Sequence, residues 1–123
     1  MHSIRADAKK NRLYLTFGKL ESSDELARVA EGIRDACREL KPGFTCLTDL
    51  RDFEPLDEQL EFFIKGVQEY LVETGVSKVV RVVRKFGAWG HVQFDKLSMH
   101  VGYHARYTTS MDEALEILDG KKD

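Results

Sequence analysis

Residues 44–53 read Phe44-Thr45-Cys46-Leu47-Thr48-Asp49-Leu50-Arg51-Asp52-Phe53, and the fold follows from them. Phe44 to Leu50 is a short, mostly apolar run that ends in charge, the pattern of an interior strand whose carboxyl end reaches solvent. Downstream, Pro55 takes a first helical position and acids fill the first turn. Leu56, Leu60, Phe63, Ile64, Val67 and Leu71 then trace one helical face as far as Gly75. Upstream, Ser22 and Glu25 form a capping box ahead of Leu26, Val29, Ala30, Ile33, Cys37 and Leu40, which recur at helical spacing until Pro42-Gly43. An interior strand between two amphipathic helices is the kernel of an α/β sheet.

The flanks extend that kernel. Ile4, Ala6 and Ala8, then Lys9-Lys10-Asn11, then Leu13, Leu15 and Phe17 read as a β-hairpin. Val79, Val80, Val82 and Val83 form a β-branched run that reads as buried on both faces except at Arg81. Phe94, Leu97 and Val101 give Val92 to Val101 a helical pattern, and His104 to Thr108 makes a short strand. Ser110 with Glu113 caps a last helix through Ala114, Leu115, Ile117 and Leu118, which Gly120 ends. The order ββαβαβαβα predicts a single α/β domain over residues 1–120, a mostly parallel mixed sheet packed against helices, with a solvated tail at 121–123.

At 123 residues the chain is one domain's worth. Nineteen Lys+Arg against 21 Asp+Glu leave a net charge of −2, which supplies no field for phosphate backbones or anionic lipid. The expectation is therefore no nucleic acid and no membrane partner. No apolar run suits a secretory leader or a membrane span, so a cytoplasmic location is expected. Cys37 and Cys46 sit inside apolar patterns and read as core residues rather than a redox pair.

The element order resembles the STAS domain and, more broadly, the SpoIIAA-like superfamily that includes STAS/SEC14-type bacterial proteins. Its marks here are Thr48-Asp49-Leu50-Arg51-Asp52-Phe53 closing the interior strand, the long helix that follows, and the strand over Lys78 to Val83. The resemblance implies an α/β sandwich and regulatory protein–protein contact without catalysis. Anti-sigma-factor antagonists of this family carry a phosphorylatable serine at the start of the helix after the interior strand. The matching stretch here is Leu56-Asp57-Glu58-Gln59, which has no serine and places Glu58 near that position. A carboxylate cannot take a phosphoryl group from a serine kinase, but it can hold a permanent negative charge at a helix N-terminus.

Three constellations remain. Asp49, Asp52, Glu54, Asp57 and Glu58 gather at the carboxyl end of the interior strand, the edge where open α/β sheets bind ligands. Arg84, Lys85 and Trp89, with Arg81, Phe86 and His91, form the one basic and aromatic concentration, and arginines with aromatics are what interface hot spots are made of. Gly87 and Gly90 lack the spacing of a nucleotide-binding loop. His100 and His104 have helical metal spacing but no third ligand at a recognisable distance, and no nucleophile motif is present. No cofactor, metal or catalytic residue is expected. The function expected is a regulatory interaction module whose partner surface comprises Asp49, Asp52, Glu54, Asp57, Glu58, Arg84, Lys85 and Trp89. The alternatives are a SEC14-like carrier of an apolar or anionic ligand and, behind it, an enzyme. Phe62, Tyr70 and Val72 lie off the main stripe of the second helix, where a contiguous exposed patch would favour a homodimer.

Overall fold

The hairpin forms where the alternation predicts it: β1 (His2–Asp7) pairs antiparallel with β2 (Arg12–Phe17). Asn11 closes the turn in the left-handed region (φ 51°), a conformation asparagine tolerates. Its side chain exchanges hydrogen bonds with the backbone of Lys41 at 2.8 and 3.1 Å, which ties the hairpin to the chain leaving the first helix. The computed structural model describes residues 2–20, 22–54, 58–86 and 105–121, with the side chains of 58–60 outside that description.

Helix α1 (Ser23–Cys37) starts at the capping box, Ser22 Oγ accepting from the Glu25 amide at 3.1 Å. Strand β3 (Thr45–Asp49), helix α2 (Glu58–Thr74) and strand β4 (Lys78–Val82) come next, then β5 (Arg106–Thr108) and α3 (Met111–Leu118). Ser110 caps α3 by accepting from the Glu113 amide at 3.2 Å. Gly75 ends α2 with φ 102°, and a Cβ there would meet Pro42 at 3.0 Å, so both backbone and space require glycine. The helix expected over Val92 to Val101 lies outside the described residues.

The five strands run in the order β1-β2-β3-β4-β5, every pair after the hairpin being parallel. Right-handed crossovers that always step the same way put their helices on one face. Accordingly α1 and α2 share a face, where Leu13, Leu15, Cys46, Val79 and Val83 meet Val29, Ile33, Ile64 and Leu71. Helix α3 follows β5 and takes the opposite face, packing Ala114, Ile117 and Leu118 on Leu47, Val80 and Val82. Arg12 fastens it there: the buried guanidinium binds Asp119 at the end of α3 at 2.8 Å and Thr45 Oγ1 at 3.1 Å.

One expectation about β4 is corrected. Arg81, read as the exposed exception in the valine run, is 1 % exposed. Its register beside Thr48 and Tyr107 points it into the face that holds α1 and α2, where it donates to the Tyr107 hydroxyl at 2.7 Å. Charge alone suggested solvent, but the period-2 alternation of a strand covered on both sides fixed its direction.

Candidate functional site

The carboxyl edge of the sheet collects the segments that leave β3 and β4. Asp49 at the end of β3 is held by Arg51 in a bidentate pair, Nε to Oδ1 at 3.0 Å and Nη2 to Oδ2 at 2.8 Å, with the Arg51 amide adding a third bond at 3.1 Å. Burial disfavours the charged carboxylate, yet the hydrogen bonds from Arg51 outweigh it and hold the Asp49 pKa below its ordinary value. Asp52 reaches across to Arg84 at 3.4 Å, so the acidic turn and the basic loop meet. Glu54 and Lys85 are exposed beside them. Glu58 is the first residue of α2, its side chain outside the described residues, as are Asp57 and Trp89.

The pairing with Arg51 makes Asp49 a poor acid–base group. Asp49 is held as an anion by Arg51, and the order of the described strands does not reverse along the sheet. Among the described residues no three His, Cys, Asp or Glu side chains gather where they could hold a metal ion. Cys37 and Cys46 are buried and free, with burial pushing both thiols up to about 11, so they are protonated core residues at neutral pH.

A second feature lies on the helical face. Between α1 and α2 runs an apolar groove of about 420 Å³, lined from α1 by Leu26, Ala27, Ala30 and Ile33 and from α2 by Phe63, Gly66, Val67 and Tyr70. Ala30 and Gly66 are too small to close the space between the helices. Phe62 stands at its rim with 81 % of its surface in water. Tyr70, two turns along, lines the same groove, whereas Val72 does not. The off-stripe residues of the sequence thus divide, Phe62 and Tyr70 contributing to one patch and Val72 standing apart.

Sequence reading missed the α1 wall of this groove. The small residues Ala27 and Ala30, three apart on α1, and Gly66 in mid-α2 were the signal, but their meaning depends on how far apart two helices lie. No protein-family model matches the chain, and a search of curated proteins returns no match. No helix among the described residues is long and apolar enough to cross a membrane.

Proposed function

We propose that this chain is a non-catalytic regulatory protein–protein interaction module of the STAS type. It receives a protein partner across the groove between α1 and α2. The observation that carries the reading is Phe62, a large aromatic left in water at the rim of an apolar trough. Exposed apolar patches of this kind mark contact surfaces, and aromatics dominate binding energy when covered. Glu58 opens α2 only four residues before Phe62, and in the STAS reading it stands near the place where anti-sigma-factor antagonists carry their phosphorylatable serine.

A SEC14-like carrier would use the same groove, whose volume falls within the range of about 300–1,000 Å³ typical of ligand sites. Such sites bury most of their ligand, and a trough open along two helices with Phe62 in solvent suits a broad protein surface better. The test is Phe62→Asp, scored by co-purification of polypeptides from the native cells. Losing an aromatic anchor weakens association by about thirtyfold or more. Fold stability changes by no more than about 0.5 kcal/mol, because the ring is exposed. Reversing Asp57 and Glu58 together weakens the same association. Unchanged association in the Phe62 variant, or a small-molecule adduct that the substitution displaces, overturns the reading.

A further inference from the structure

Among the described residues, Arg34 is the one charged residue that lines the groove, and it comes from α1. Arg34 lies exposed on the α1 wall and makes no ion pair among the described residues, while the neighbouring Arg38 is engaged by Asp35. On the α2 side Glu69 and Glu73 are exposed, also without an ion pair among the described residues, and the last turn of α2 holds no basic residue.

Both helices begin at the carboxyl edge of the sheet and run back along it, so residues equally far from Ser23 and Glu58 stand about level. Ala27 is level with Phe62, and Arg34 with Glu69. Each wall therefore has an end that suits the other wall. The small residue Ala27 stands level with the protruding ring, and the cation Arg34 with Glu69, Glu73 following one turn further along α2.

The geometry points to a second copy of this chain as the occupant of the groove, in a two-fold dimer whose axis runs along the groove. This inference rests on the groove being the docking surface. With that axis, α1 of one copy lies over α2 of the other. Phe62 then enters the space above the partner's Ser23 and Ala27, and Arg34 meets the partner's Glu69 and Glu73. Both contacts occur twice, as an isologous interface requires. A two-fold axis across the helices would instead set α1 on α1 and α2 on α2, placing Glu69 and Glu73 near the opposing Phe62.

Helices of 15 and 17 residues are about 23 and 26 Å long at 1.5 Å per residue and lie about 10 Å apart. Stacking two such pairs covers on the order of 500 Å² of each copy, about 1,000 Å² in all, where specific interfaces begin. The dimer should be reversible and concentration-dependent.

Sedimentation velocity of the full chain, from low micromolar to near-millimolar concentration, tests this. The native chain should pass from monomer to dimer, and Phe62→Asp should stay monomeric. Arg34→Glu alone, and Glu69→Arg with Glu73→Arg in a second chain, should each weaken self-association by about tenfold or more through like-charge contacts. Mixed together, the two charge variants should pair with each other within a few-fold of native strength, because each then meets its complement. Helical circular dichroism confirms that every variant is folded. A chain monomeric throughout, a dimer indifferent to Phe62→Asp, or a mixture no stronger than its parts overturns the inference. If the native chain is monomeric while Phe62→Asp still loses a different polypeptide, the second copy is wrong and the groove reading stands. If the substitution changes neither association, both fall.

Discussion

Gly66 lies in the middle of α2, and a Cβ built there has no heavy atom within 4 Å. Glycine in a helix interior is about 0.8–1 kcal/mol less favourable than alanine, mainly because the unfolded chain has more freedom to lose. With no clash to offset that gain, Gly66→Ala should stabilise the fold by nearly the full amount. At roughly 2.1 cal/mol/K of unfolding entropy per residue, the 123-residue chain should melt about 3–4 °C higher. Gly32 in α1 is the internal control: a Cβ there falls 2.9 Å from Ile4 Cδ1, so part of the helical gain goes into moving that side chain. Gly32→Ala should therefore raise the midpoint less. The assay is calorimetry on dilute chain, with guanidinium unfolding as a second measure. A Gly66→Ala midpoint at or below the native value, or Gly32→Ala gaining more, would refute the open groove floor. Gly66 lines the groove, so on the docking proposal the same substitution should weaken association while strengthening the fold.

The same geometry makes other outcomes testable. Asp49 has a folded pKa below its ordinary value, so its pairing with Arg51 stabilises the fold above the carboxylate range and loses that contribution as pH falls through the folded pKa. The melting difference between the native chain and Asp49→Asn should accordingly be present at neutral pH and shrink in acid; a difference constant with pH would contradict the pairing. Cys37 and Cys46, buried thiols raised to about 11, should react with a thiol reagent at pH 8 only as fast as the chain opens. Labelling at the rate of a free peptide thiol would contradict their placement. Ser110→Ala should cost about 1 kcal/mol in guanidinium unfolding by removing the α3 cap, and no loss would mean another group satisfies the Glu113 amide.

Local chemistry made much of this fold legible. The two capping boxes, the Asn11 turn and the glycine at the end of α2 are each decided within a few residues, and the structure has them where the sequence implies. What depends on register or on the distance between elements was not legible. Arg81 looked exposed because charge was read without the strand's neighbours, although its alternation with Val80 and Val82 held the answer. The side taken by α3 was open because the crossover rule constrains only helices that join parallel strands. At the site, the meeting of acidic turn and basic loop through Asp52 and Arg84 was anticipated as a neighbourhood but not as a pair. The groove was invisible because Ala30 and Gly66 matter only once α1 and α2 are seen side by side.

The most direct measurement replaces Phe62 with a photo-crosslinking phenylalanine analogue in the native cells, with the same analogue at Val72 as control. Both side chains are exposed, but only Phe62 borders the groove. A docking surface on the groove predicts a defined polypeptide adduct, of this chain or another, from position 62 and none from position 72. No adduct at position 62, or equal adducts at both, would contradict it.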